Sequence, residues 1–144
     1  MTVRRQRSIG AAPERIWELI SDPYRLPAWW PGVERVEEAS ERGWTKVLRS
    51  PKGGKAVRAD YTVVDAVPPT SVSWRHEVEE SPFERIMSEA RYDFDLEERA
   101  SETLVRLRMQ VRLRGFSRLG ALQMRRATSR RLDEALEGLA ELVA

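Results

Sequence analysis

The run TLVRLRMQVRLR, residues 103–114, constrains the fold more than any other part of the chain. Val105, Leu107, Met109, Val111 and Leu113 share one parity, and Arg106, Arg108, Gln110, Arg112 and Arg114 share the other. Alternation of period two on this scale specifies a strand with one face buried and the other in water. The same signature recurs upstream. Val72, Trp74, His76 and Val78 alternate in one run, and Ile86, Ser88, Ala90, Tyr92 and Phe94 share a parity in the next. The spacing predicts strands near 33–40, 44–50, 55–67, 71–79, 85–97 and 103–114, with a poorer edge strand at 2–9. Turn signals separate them at Arg42-Gly43, Pro51-Lys52-Gly53-Gly54, Pro68-Pro69, Ser81-Pro82 and Arg99-Ala100-Ser101. Connections this short demand antiparallel neighbours.

Two helical regions flank this strand-rich middle. Ala12-Pro13-Glu14 opens a helix with proline in the first turn and an acid behind it, where a missing N–H and a negative charge both suit a helix start. Ile16, Trp17, Leu19 and Ile20 supply its apolar stripe, and Ser21-Asp22-Pro23 ends it. A short helical turn follows from 23 to 30, dense in aromatics and closed by Pro31-Gly32. Residues on a helix point about 100° apart, so Trp29 and Trp30 cannot both enter one narrow core. At the other end, Gly115 breaks the last strand, and 117–143 would form a helix about 40 Å long. Its stripe is regular only from Leu132 through Leu136, Leu139 and Val143. Between Arg125 and Arg131 it lapses into Ala127, Thr128 and Ser129, which suits a segment facing a cavity.

The chain has 144 residues, the length of one ordinary domain, and we expect a single domain over 1–144. Its charged share of 33% is that of a heavily charged surface. Arginine is used almost to the exclusion of lysine, but most arginines alternate with acids, and no nucleic-acid motif accompanies them. No nucleic-acid partner is expected. Cysteine is absent and there is one histidine, so disulfides, thiolate sites and a conventional metal centre are not expected. No cofactor is expected either. No apolar run is long enough to span a bilayer, and the first ten residues lack a signal-peptide core, so the expected location is the cytoplasm.

The hidden face of the two runs between 71 and 94 mixes an imidazole, a hydroxyl and small residues with aromatics, the composition of a cavity wall. His76 alone has an unperturbed pKa near neutrality, which makes it the candidate proton-transfer group. The alternative is a hydrogen-bonded histidine that does no chemistry. Trp30, Trp74, Tyr92 and Phe94 can stack on a flat ligand or simply fill a core. Ile86, Ala90, Leu107 and Met109 continue the same faces. Ser88, Arg126 and Ser129 are the candidate polar contacts. On the strand at 55–67, Arg58, Asp60 and Thr62 share one parity and Val57, Ala59, Tyr61 and Val63 the other; the sequence leaves open which set faces inward.

The element order, together with APERIWELISDPYRLPAWWPGVERV at 12–36, resembles the START-like, Bet v 1-like superfamily, specifically its polyketide cyclase/dehydrase and lipid-transport branch. The resemblance covers essentially the whole chain and implies an α+β helix-grip fold. In that fold a seven-stranded antiparallel curved sheet wraps around a long C-terminal helix, two short helices follow the first strand, and a cavity lies between sheet and helix. The stretch from Trp74 through His76, Val78, Glu79, Pro82 and Phe83 to Tyr92 also resembles aromatic polyketide aromatase/cyclases. Those enzymes place a cavity arginine where this chain has Thr62, and a tyrosine where it has Val33 to Val36. The expected function is therefore to bind a hydrophobic small molecule such as a lipid, quinone or aromatic polyketide. The alternatives are an aromatase/cyclase or dehydratase using His76, and a partner-binding module using the arginine-rich strand 106–114.

Overall fold

A computed structural model describes residues 1–49 and 54–144. Seven strands form one antiparallel sheet: β1 (Thr2–Ile9), β2 (Val33–Glu37), β3 (Gly43–Leu48), β4 (Val57–Val67), β5 (Ser71–His76), β6 (Met87–Arg99) and β7 (Glu102–Leu113). Their spatial order is β1-β7-β6-β5-β4-β3-β2, so the only non-consecutive neighbours are β1 and β7. Of the turns expected from sequence, the one at 51–54 falls largely outside the described residues; Gly54 alone is described. Three helices complete the fold: α1 (Pro13–Ile20), α2 (Leu26–Trp29) and α3 (Arg118–Val143). The sheet curls around α3, and the fold is the α+β helix grip.

Local chemistry explains the helix boundaries. Pro13 occupies the first turn of α1 and Glu14 follows it, as the missing donor and the helix dipole favour. Asp22 then caps the 3₁₀ turn Pro23–Arg25 by accepting from the Tyr24 N–H at 3.1 Å. Ser117 caps α3, its hydroxyl accepting from the Gly120 N–H at 3.0 Å. The C-terminal half of α3 buries Leu132, Ala135, Leu136, Leu139 and Val143. Gly138 lets α2 lie against it, because a Cβ there would stand 2.5 Å from the Trp29 carbonyl oxygen. Arg5 on β1 holds Asp133 on α3 at 2.7 Å and ties the helix to the sheet edge.

Register decides which side chains meet under the helix. Tyr61 on β4 pairs with His76 on β5, and His76 pairs with Ala90 on β6. Trp74 pairs with Tyr92, and Tyr92 pairs with Met109 on β7. These residues therefore stand in neighbouring rows on one face. The parity left open on β4 is settled: Ala59 and Tyr61 are buried inside, while Arg58 pairs outside with Glu37 at 2.9 Å. Asp60 accepts from the Thr45 hydroxyl at 2.6 Å, and Thr62 donates to Glu77 at 2.8 Å.

Two of the boundaries that differ from the sequence expectation bear on the inward face. β5 stops at His76, and the chain runs on to a 3₁₀ turn at Pro82–Arg85. β6 then begins at Met87, with a register shift between Met87 and Glu89 that inserts Ser88 as an extra residue. The regular inward alternation of β6 therefore runs only from Ala90 onward. Met87 takes the buried place, and Ile86 sits ahead of the strand, 37% exposed.

Candidate functional site

Between the sheet and the first half of α3 lies a cavity of about 230 Å³. Its floor is Lys46 and Leu48 from β3, Tyr61 from β4, His76 from β5, Ala90 and Tyr92 from β6 and Met109 from β7. Trp30, Pro31, Phe83, Ile86 and Met87 also border it, and Met124, Ala127, Thr128, Arg131 and Leu132 of α3 form the roof. The lapse in the helix stripe is thus where the helix leaves the packed core and borders this space.

The residue at the centre is Lys46, which no pattern of apolarity flagged. It faces the same side as Ala59, with which it pairs, and is only 1% exposed. Its ammonium lies 4.3 Å from the ring centroids of both Trp30 and Tyr61, 5.4 Å from that of Tyr92 and 5.7 Å from that of Trp74. Such contacts stabilise a buried cation through the ring quadrupoles, but they replace only part of its hydration. No carboxylate pairs with it among the described residues. Burial, reinforced by the positive field of Arg131, lowers its pKa to about 7.

Around Lys46 the aromatics form a continuous array. Trp44 stacks on Tyr61 at 5.7 Å, Tyr61 stacks on His76 at 4.8 Å, and Phe83 meets His76 edge-on at 4.8 Å. Trp30 meets Tyr92 edge-on at 5.3 Å. Burial holds the His76 pKa down to about 4, assisted by the charge of Lys46 and opposed by Asp60 and Glu77. Its ring is therefore neutral near neutral pH, and its buried Nε2 has no hydrogen-bond partner. The Tyr61 phenol is pushed up by burial and then by the adjacent Tyr92, whose own phenol is pushed up by burial. The site thus combines an amine near its midpoint, a neutral imidazole and two protonated phenols.

Of the residues singled out from sequence, Trp30, His76, Ile86, Ala90, Tyr92 and Met109 border the cavity. Trp74 lies behind it, fully buried, with its ring against Lys46, Trp44 and Phe94. Phe94 and Leu107 belong to the close-packed core alongside Trp29. Ser88 is displaced by the irregularity in β6. Arg126 and Ser129 miss the cavity by helix phase: the roof follows 124, 127, 128, 131 and 132, and Arg126 is solvent-exposed. Counting back from Leu132 in steps of four reaches Thr128 and Met124, so the stripe itself held the phase. For Lys46 the signal was its parity with Trp44 and Leu48 on a strand, in a chain with only three lysines.

A wider concavity of about 710 Å³ lies on the opposite, convex face, bordered by Arg4, Arg5, Ser73, Arg91, Asp93 and Arg108 among others. Most of the charged residues around it are paired. Asp93 accepts from Ser73 at 2.5 Å, from Arg91 at 2.9 Å and from Arg108 at 3.0 Å. Arg106 pairs with Asp95 at 3.2 Å and Glu97 at 3.0 Å. Among the described residues there is no group of three or more His, Asp or Glu placed to hold a metal, and no helix long and apolar enough to cross a membrane.

A curved sheet gripping a long helix over an internal, aromatic-lined cavity defines the class: this is a helix-grip protein. The chain belongs to the family described as polyketide cyclase / dehydrase and lipid transport, whose pattern it matches over residues 1–144. No curated protein matches the sequence. Solved structures share the fold at low identity. A Chromobacterium violaceum protein is 17% identical with a TM-score of 0.79, over 99% of this chain and 96% of that one. A START superfamily protein from Mycobacterium smegmatis is 14% identical with a TM-score of 0.75, over 99% of both chains. The di-domain ARO/CYC BexL from the BE-7585A biosynthetic pathway is 15% identical with a TM-score of 0.78, over 98% of this chain and 49% of that one.

Proposed function

We propose that this single-domain chain binds a small, largely apolar molecule carrying one oxygen function, held between the sheet and the first half of α3. The observation that carries the reading is the polar end of the cavity: Lys46, Tyr61, His76 and Tyr92 converge in walls that are otherwise aromatic and aliphatic. A few polar groups set in an apolar enclosure give orientation without losing the gain from burying the ligand. The volume of about 230 Å³ lies below the ~300–1,000 Å³ usual for drug-sized ligands, which favours a compact ring system over a long chain. We assign ligand contact to Trp30, Lys46, Tyr61, His76, Tyr92 and Met109. Family membership and the BexL likeness support a ligand of lipid, quinone or aromatic polyketide type.

A second reading, cyclase or dehydratase chemistry, is favoured by one observation. The buried Nε2 of a neutral His76 has no hydrogen-bond partner among the described residues, and in the tautomer protonated on Nδ1 it is free to accept a proton. One pair of variants separates the two readings. Ala127 borders the cavity while remaining exposed, so Ala127→Trp should fill the opening and weaken binding of naphthol, followed by tryptophan quenching, by about tenfold or more. Unchanged binding would remove the cavity as the ligand site. Naphthol binding to His76→Gln, followed in the same way, shows whether that variant still holds the ligand. Loss of turnover on a poly-β-ketone in that variant supports catalysis; undiminished turnover rejects it.

A further inference from the structure

Lys46 is the one buried cation of the described residues, and no carboxylate among them pairs with it. The charged and titratable groups that face it are Tyr61 from β4, His76 from β5, Tyr92 from β6 and Arg131 from α3. None is an anion at neutral pH. The other two lysines, Lys52 and Lys55, follow β3 in sequence, and Lys55 is exposed. An amine that borders a ligand-sized cavity, is screened from water by aromatic rings and lacks a carboxylate partner is placed as a nucleophile. Near-neutral titration keeps a large share of it unprotonated, whereas an exposed lysine is almost wholly protonated under the same conditions.

We propose that Lys46 captures the carbonyl group of a small aromatic aldehyde or ketone in this cavity as an imine. The proposal rests on the cavity being the ligand site. The Nζ lone pair attacks the carbonyl carbon, a C–N bond forms, and the C=O π electrons move to oxygen. A proton passes from nitrogen to that oxygen and gives a neutral carbinolamine. The nitrogen lone pair then expels the hydroxyl, which leaves with a proton as water, and a C=N bond remains. No electron donor or acceptor is consumed. His76, neutral and facing the same space, carries the proton between nitrogen and oxygen. The phenols of Tyr61 and Tyr92 donate to the carbonyl oxygen as charge builds on it. The aromatic enclosure keeps water away from the imine.

The test uses the full chain with naphthaldehyde and sodium cyanoborohydride, which reduces an imine to a stable secondary amine, followed by peptide mass mapping. Only the Met1 amine, Lys46, Lys52 and Lys55 can be labelled this way. The expected result is an adduct on Lys46 formed at least about tenfold faster than on Lys52 or Lys55 at neutral pH. Its rate should rise with pH to a midpoint near the Lys46 value of about 7. Labelling of Met1, Lys52 or Lys55 with Lys46 unmodified overturns the proposal, and this mapping depends on no variant folding. Naphthylmethanol, which lacks the carbonyl, is titrated in parallel by tryptophan quenching. Quenching without a Lys46 adduct leaves the cavity reading standing and rejects the imine. An adduct without quenching keeps the nucleophile and contradicts the apolar cavity, and absence of both removes both. If naphthoate binds more tightly than naphthylmethanol while no adduct forms, Lys46 serves only as a counter-ion and the proposal fails.

Discussion

The two faces of one sheet treat charge in opposite ways. On the convex face Asp93 is half-hidden, and burial alone would raise its pKa, yet hydrogen bonds from Ser73, Arg91 and Arg108 outweigh burial and hold it below its ordinary value. On the concave face Lys46 is more deeply buried, set among aromatic rings and with no carboxylate partner among the described residues. Neighbouring partners fix the ionised state of one group; the absence of a counter-ion leaves the other balanced between two states. A paired charge is chemically quiet, while an unpaired buried one is available to a ligand.

The largest effect expected from this contrast is at Lys46. Lys46→Met keeps the length of the side chain and removes the charge, and should raise the free energy of unfolding by about 2–4 kcal/mol at neutral pH, measured in urea. The sign follows from linkage. The folded-state value of about 7 lies below the ordinary lysine value, so the unfolded chain binds more protons between the two, and stability rises with pH across that window. His76 adds a second rise at lower pH, from its folded value of about 4 up to the ordinary histidine value. The variant should flatten the upper rise and leave most of the lower one. A variant less stable than the parent would mean that the aromatic cage more than offsets the loss of hydration.

A smaller effect, of opposite sign, is expected at the convex face. Asp93→Ala leaves Arg91 and Arg108 without their shared acceptor and should cost about 1–2 kcal/mol in the same urea measurement. Because the folded Asp93 value is lowered, its contribution is present above the ordinary aspartate range and is lost as pH falls through the folded value. The variant should therefore differ least from the parent in strong acid. Equal stability of the two proteins at neutral pH would show that solvent already screens the network and that the contrast between faces is overstated.

Where side chains alternated cleanly, the sequence was a reliable guide. β7 and the part of β6 from Ala90 onward carry their inward faces as a simple period of two, and the end of α3 carries its stripe as a helical period. The rest was hidden for three physical reasons. Ser88 occupies an irregularity in β6, and an extra residue shifts parity without changing composition. Arg126 and Ser129 carry polar groups but lie off the phase of the apolar stripe, whose extension back from Leu132 in steps of four passes through Thr128 and Met124. Lys46 was passed over because apolarity places lysine outside, a rule that fails where a strand position is fixed by its neighbours Trp44 and Leu48. His76 was visible as an inward residue from its alternation; its low pKa comes first from burial, to which the charge of Lys46 adds.

The central claim is that one lysine is held unpaired and near its midpoint inside the protein. Lysine labelled with ¹³C at the ε-carbon reports this directly by NMR, since the chain has only three lysines and each gives its own signal. As pH is raised, one of the three signals, that of Lys46, should move with a midpoint near 7, well below the ordinary lysine value. Three signals that all titrate near the ordinary value would contradict the account.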